Sequence, residues 1–435
     1  MLFSDGVAII ADDLTGANDT ALQFHLKGCS VQVLTNYKDI VKTHENTQVW
    51  AVSTESRNID PDEAKARAKE ATTALINSLG VEYIYKKVDS TIRGNIAMEI
   101  MGVIEASDYE AALVMPAFPN EGRITVGGYH LLKGVPIERT EFARDPRAPI
   151  YESHIPTVLR NGLPPNEQDL VSLIELNTVK QGAGPILAKL NELIAAGKKL
   201  IVADALSSVD IEQVMLALKK CGTKILPCGS AGAAQAMCDI VYPEVKYERE
   251  PLELPALPKL IVSGSASELA ATQIKRLASD EDVEDIYVID ITPEQILGSE
   301  CDDIIERAVK NLVRTNTVVI HTSELFSNPD AMTVMLFEKE ISREAFISMI
   351  CDYLAEITQV ITSQRDLILI TVGGETSYKC LHSLGVNCLQ ILDAVAPAIP
   401  LCEDVKNRLI VTKSGNLGNS KTLIDVLNYF ENHND

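Results

Sequence analysis

The chain has 435 residues, 46% of them apolar and 23% charged, with a formal net charge of −22; this is the balance of a folded globular protein, and at roughly 100 to 200 residues per domain it predicts two domains. The charge argues against nucleic acid and anionic membrane as partners, because a phosphate surface must be met by clustered Lys and Arg. An anionic small molecule remains open, provided positive charge is gathered in one pocket.

In chain order, Met1 to Ala11 shows no basic flank, long apolar region or small-residue cleavage site, so a soluble cytoplasmic protein is expected. Short β-branched runs at 6–11, 48–53, 81–88, 111–115, 199–203 and 224–227 predict strands. Residues 61–79 alternate charges with alanines and carry Pro61 in the first turn, the pattern of an amphipathic helix. The stretch 116–156 is rich in Gly, Pro and charge, and reads as an excursion near a site.

Prolines at 251, 255 and 258 mark a linker at 247–258. Strand-like runs then restart at 260–262, 286–289, 317–321, 367–372, 389–392 and 408–412. The expected fold is α/β, with two α/β domains (1–246 and 259–435), each a largely parallel sheet flanked by helices, and a ligand cleft between them. No run of 18 apolar residues is free of charge, so no membrane span is expected. The nine cysteines form no Cys-x-x-Cys pair and the seven histidines no His-Glu-x-x-His pattern, which predicts reduced, mostly buried thiols and gives a zinc enzyme no support. No metal ligand can be assigned.

The first strand ends in Ala11-Asp12-Asp13-Leu14-Thr15-Gly16-Ala17-Asn18-Asp19-Thr20. Acids at the carboxyl end of a parallel strand, beside a helix N-terminus, stand where open α/β sheets bind ligands, and two adjacent acids exceed what a helix cap needs. A phosphatase of the haloacid dehalogenase type would need Asp-x-Asp, and Leu14 breaks that pattern. A second strand end, Lys86-Lys87-Val88-Asp89-Ser90-Thr91-Ile92-Arg93-Gly94-Asn95, gathers cations, hydroxyls and a carboxylate, the groups that would bind a hydroxylated acid. A third, Ser53-Thr54-Glu55-Ser56-Arg57, adds an arginine able to fork onto a carboxylate. The three together predict a pocket of positive charge.

In the second half, Val262-Ser263-Gly264-Ser265-Ala266-Ser267, Val372-Gly373-Gly374-Glu375-Thr376-Ser377 and Thr412-Lys413-Ser414-Gly415-Asn416-Leu417-Gly418 are glycine-bearing strand ends. Glycine there lets backbone amides approach phosphates, so three in one domain suggest a nucleotide. A near match to a phosphate-binding P-loop at Gly415 to Thr422 fails at Ser420, and Lys421 is expected on the surface.

These segments resemble the four-carbon acid sugar kinases, in order and over nearly the whole chain, departing at Leu14 and Leu417, where many members carry Phe, and at Glu375, where threonate-type members often carry Asp. The resemblance implies an N-terminal acid-sugar-binding domain, a C-terminal nucleotide-binding domain, and ATP-dependent phosphorylation of the terminal hydroxyl of D-threonate or D-erythronate. The alternatives are a 3-oxo-tetronate kinase or a non-catalytic sugar-acid sensor. Carried over by position, Asp13, Arg57, Lys87, Val88, Asp89, Ser90, Thr91 and Arg93 touch the acid, while Ser265, Gly373, Gly374, Glu375, Thr376 and Gly415 touch ATP. The expected mechanism has Arg57 and Lys87 holding the substrate carboxylate, Asp12 or Asp13 orienting the hydroxyl or taking its proton, Asp89 fixing Lys87 or a sugar hydroxyl, and Mg²⁺ bridging the phosphates. A homodimer is expected on general grounds.

Overall fold

The computed structural model describes residues 6–40, 47–145, 147–241, 252–280, 285–326 and 329–432. The chain divides into two compact units between residues 247 and 248. Part of the expected linker, 247–251, lies outside the described residues, as does Pro146.

The first unit contains β1 (Val7–Ala11), β2 (Val31–Leu34), β3 (Val49–Ser53), β4 (Tyr83–Lys87), β5 (Ala111–Met115), β6 (Arg123–Val126), β7 (Tyr129–Leu132), β8 (Val135–Pro136), β9 (Val171–Ile174), β10 (Leu200–Ala203) and β11 (Ile225–Gly229). Its main sheet runs β2-β3-β1-β4-β11-β5-β10-β9, all parallel. Every residue of β1, β3 and β5 is buried, as expected of strands covered by helices on both faces. The helix Pro61–Leu79 begins at an Asp60 cap, whose carboxylate accepts from Asp62 N at 2.9 Å, and buries Ala64, Ala68, Ala71 and Leu75 along one stripe.

Strand order explains where a site can form. From β1 the chain passes through the helix Leu14–His25 to β2 and β3 on one side; from β3 it returns through Pro61–Leu79 to β4 on the other side of β1. Connections that leave in opposite directions open a crevice at the carboxyl ends of β1, β3 and β4, the usual ligand position in such sheets. The excursion at 116–156 holds the small antiparallel sheet β6-β7-β8, which borders this crevice through side-chain contacts described below.

The second unit contains β12 (Lys259–Ser263), β13 (Ile286–Asp290), β14 (Thr317–His321), β15 (Ile368–Val372), β16 (Cys388–Ala396), β17 (Ile399–Asp404) and β18 (Leu409–Lys413), in the order β13-β14-β12-β15-β18-β17-β16. Only β17 runs against both of its neighbours here. The chain leaves β12 toward β13 and β14 and crosses back to β15, so a second switch point lies at the end of β12. Ile261, Val319, Ile370 and Val411 pack beneath it against Leu423, Leu427 and Phe430 of the helix Thr422–Asn432.

Among the described residues one helix, Arg343–Gln364, is long and apolar enough to cross a membrane. Its buried residues Phe346, Ile350, Leu354, Ile357 and Ile361 recur at helical spacing, and Thr358 Oγ1 lies 3.5 Å from Cys380 Sγ on the helix Gly374–Ser383, so it is a core helix of the second unit. All nine cysteines are free thiols, and seven of them are buried.

Candidate functional site

At the end of β1, Asp12 and Asp13 turn into the helix Leu14–His25. Asp13 caps that helix, accepting from Gly16 N at 2.9 Å and from Thr15 Oγ1 at 2.8 Å. Arg57, beyond β3, donates from Nε to Asp12 Oδ2 at 2.6 Å and from Nη2 to Asp12 Oδ1 at 2.9 Å; the same Nη2 lies 2.9 Å from Asp13 Oδ1 and 3.8 Å from Asp89. Burial alone would raise the Asp12 carboxyl, but Arg57 against it holds it below the usual carboxylate range, and the aspartates in turn raise Arg57.

Beyond β4, Asp89 accepts from Thr91 Oγ1 and from Arg93 Nε at 2.8 Å. Despite burial, Arg93 and then Arg57 keep the Asp89 carboxyl well below its ordinary value. Arg93 also donates to Asp145 at 2.9 Å and stacks over Phe142, both from the 116–156 excursion. His130 on β7 places Nε2 2.8 Å from the Ser90 carbonyl and Nδ1 3.1 Å from Thr125 Oγ1; burial pushes its ring down to about 4, so it is neutral near pH 7. The excursion therefore braces the Val88 to Arg93 turn from outside the main sheet.

Two expectations are corrected here. The pocket of net positive charge is a compensated cluster: Arg57 is paired with Asp12 and Asp13, Arg93 with Asp89 and Asp145, and Lys86 with Glu99 at 2.7 Å. Buried charges demand such partners, which is why cations gathered at a buried strand end bring acids with them. Arg57 thus meets Asp12 and Asp13 through Nε and Nη2. Asp89, expected to fix Lys87 or a sugar hydroxyl, holds Arg93 and Thr91, and among the described residues Lys87 is not one of its partners. Asp12, Asp13, Arg57, Lys87, Val88, Asp89, Ser90, Thr91 and Arg93 otherwise lie together around the ends of β1, β3 and β4.

Sequence reasoning also missed several members of the cluster. Glu99 was hidden as an acid within an apolar helix. Glu55, whose carboxylate accepts from Leu14 N at 3.0 Å and Ser53 Oγ at 2.6 Å, is pushed up to about 8 by burial. Asp19 stood in the first motif without a role; burial raises it to about 6, with Lys87 at 3.9 Å opposing. Alone, none of the three has a signal beyond its charge.

In the second unit the three glycine-bearing turns follow β12, β15 and β18, which are neighbours in the sheet. Gly373 N donates to the Lys413 carbonyl at 2.8 Å, and Gly373, at φ 110, precedes the helix Gly374–Ser383. Ser267 Oγ caps the helix Glu268–Ser279 and donates to the Gly415 carbonyl at 3.2 Å. A Cβ on Gly415 would fall 2.1 Å from Ser265 Oγ. Thr376 Oγ1 is buried beside Gly264, 2.5 Å from where a Cβ there would stand. Ser265, Gly373, Gly374, Glu375, Thr376 and Gly415 are thus brought to one edge, where two helix N-termini present amide N–H groups suited to phosphate. Lys421 is exposed just before the last helix. Among the described residues no group of three or more His, Cys, Asp and Glu side chains is arranged to hold a metal ion.

Residues 7–237 match the sugar-binding N-terminal domain family, and residues 260–423 the nucleotide-binding C-terminal domain family. The chain is 29% identical to a D-threonate kinase of Salmonella typhimurium LT2, over 97% of this chain and 98% of that protein. It is 29% identical to a D-erythronate kinase of Heliobacterium modesticaldum, over 97% and 96%. A 3-oxo-tetronate kinase of Methylobacterium radiotolerans is 26% identical over 94% and 95%. The crystal structure of a Haemophilus influenzae protein shares the fold, with a TM-score of 0.69 at 21% identity over 97% of this chain and all of that one. With both domain families matched in order, each over the unit that carries the corresponding strand-end cluster, the chain belongs to the four-carbon acid sugar kinase family.

Proposed function

We propose that this protein transfers the γ-phosphoryl group of ATP to the terminal hydroxyl of a four-carbon acid sugar, D-threonate or D-erythronate. The observation that carries the reading is the coincidence of two independent assignments: the sugar-binding match covers the unit with the charged strand-end cluster, and the nucleotide-binding match covers the unit with the glycine-bearing turns. The choice of acid follows the relatives named above, and 3-oxo-tetronate stays as the second reading because similar proteins carry that name.

Phosphoryl transfer asks mainly for positioning and charge neutralisation. In this reading the acid lies at the ends of β1, β3 and β4, where Lys87 and the backbone turn Val88 to Arg93 supply donors. Arg57, oriented by Asp12, fixes the floor of the site. The phosphates lie against Ser265, Gly373 to Thr376 and Gly415. Mg²⁺, which would supply charge neutralisation, fits as an ion carried in by the phosphates, since the described residues offer no cage of their own.

The test is ADP release from Mg²⁺ and ATP against D-threonate, D-erythronate, their L-isomers and 3-oxo-tetronate. Turnover dependent on one D-acid supports the reading and selects the acid. Turnover on 3-oxo-tetronate alone selects the second reading, and binding of an acid without ADP release defeats both.

A further inference from the structure

Lys86 and Lys87 are consecutive in β4, so their side chains leave opposite faces of the sheet. Lys86 Nζ meets Glu99 Oε2 at 2.7 Å, with side chains only 0% and 2% exposed, and Glu99 is held in turn by Ser56 Oγ at 2.9 Å. That pair is sealed. On the other face Lys87 rises beside the helix Leu14–His25. Gly16 makes the approach possible, because a Cβ there would fall 3.0 Å from Lys87 Nζ and 2.6 Å from Asp13 Oδ1. One turn further along that helix, Asp19 Oδ1 stands 3.9 Å from Lys87 Nζ.

The other acids of the cluster are committed. Asp12 is gripped twice by Arg57; Asp13 caps the helix and meets Arg57; Asp89 is held by Arg93 and Thr91; Glu55 accepts from Leu14 N and Ser53 Oγ. A base bound to guanidinium is a poor proton acceptor. Among the described residues the Asp19 carboxylate accepts from its neighbour Thr20, at 2.9 Å, and no guanidinium pairs with it. Its side chain is 21% exposed, against 4%, 10% and 9% for Asp12, Asp13 and Asp89, so of the four aspartates it is the one most open to a bound hydroxyl.

Resting on the kinase reading above, we infer that Asp19, rather than Asp12 or Asp13, is the base that takes the proton of the acceptor hydroxyl, with Lys87 beside it binding the acid. The O–H bond breaks and its proton passes to the Asp19 carboxylate. The freed electron pair forms the bond to the γ-phosphorus, the bridging bond to the β-phosphate breaks with its pair leaving on ADP, and the proton then passes to water. A carboxyl raised to about 6, with Lys87, Asp13, Arg57 and Thr20 facing it, is matched to accept a proton near neutral pH.

The experiment is steady-state kinetics of Asp19→Asn and Asp12→Asn with Mg²⁺, ATP and D-threonate or D-erythronate, with thermal melts alongside. For Asp19→Asn, kcat is expected to fall by about 100-fold or more, the size of a lost general base, with the melting temperature and both KM values near wild type. The acid-side fall of kcat between about pH 7 and 5, as Asp19 takes up a proton, should vanish in the variant. An Asp19→Asn enzyme with wild-type kcat, or with the acid limb intact, overturns the inference while leaving the kinase reading in place. A wild type that turns over none of the acids overturns both.

Discussion

Arg57 grips Asp12 through both carboxylate oxygens, Nε to Oδ2 at 2.6 Å and Nη2 to Oδ1 at 2.9 Å, across 45 positions of sequence. The pair ties the end of β3 to the end of β1, and so fixes the shape of the crevice. Removing Asp12 with Asp12→Ala leaves a buried guanidinium short of a partner. Because Asp13 still meets it, the cost is expected near the low end of the range for broken buried pairs, about 3 kcal/mol, read as a lower urea midpoint. Since the Asp12 and Asp89 carboxyls are held below their unfolded values, their contribution is present at neutral pH and is lost as pH falls from about 4 through the folded values. The gap in urea midpoint between wild type and Asp12→Ala should therefore shrink toward pH 3; a gap that persists there removes the ion pair as its cause.

The sealed Lys86–Glu99 pair makes a separate prediction. Lys86→Met should cost about 3–5 kcal/mol by stranding Glu99, whereas Lys86→Met combined with Glu99→Leu should recover most of it, since a buried pair replaced by apolar groups is often neutral. Denaturant midpoints of the two single variants and the double variant measure the coupling. Additive losses would show that the two side chains act independently.

Glu55 gives the opposite sign of pH dependence from Asp12. Its folded value, about 8, lies above the unfolded one, so the folded protein holds the proton more tightly; its contribution is full below about 4.5 and is lost as pH rises through 8. Wild-type stability should slope downward between pH 5 and 8. In Glu55→Gln, whose amide oxygen can still accept from Leu14 N, the slope should flatten. Parallel pH profiles of the urea midpoint for the two proteins would contradict this assignment.

Gly415 tests the other unit. With a Cβ brought to 2.1 Å from Ser265 Oγ and to 3.1 and 3.2 Å from the Cβ atoms of Ser265 and Ser267, Gly415→Ala must turn the Ser265 hydroxyl away and press the turn after β18 against the one after β12. ATP KM is expected to rise by about tenfold, equivalent to 1.4 kcal/mol, with acid KM unchanged. A change confined to acid KM would place the phosphates elsewhere.

Most strands of both sheets can be read in the sequence because parallel strands covered on both faces leave continuous apolar runs. The strands that escape are those whose pattern is broken: β2 has Gln32 among only four residues, β9 has Ser172, and β17 has Pro400. β16, read as four residues, runs to nine because it forms a hairpin with β17, where Ala398 takes φ 59 in a turn that no glycine announces. In the site, the strand-end residues are visible as motifs, but their pairing is not. Nothing in Lys86-Lys87 says that one lysine is sealed against Glu99 and that the other, also buried, lies 3.9 Å from the part-exposed Asp19; that difference comes from strand alternation and from the two helices that carry those acids.

The most direct measurement is the structure of the product. After incubation with Mg²⁺, ATP and the preferred acid, the account predicts a mono-phosphorylated acid by mass, with its phosphorus-31 resonance coupled to the two protons of the terminal carbon. Phosphorus coupled to an inner carbon's proton, or an acyl phosphate on the carboxylate, would contradict it.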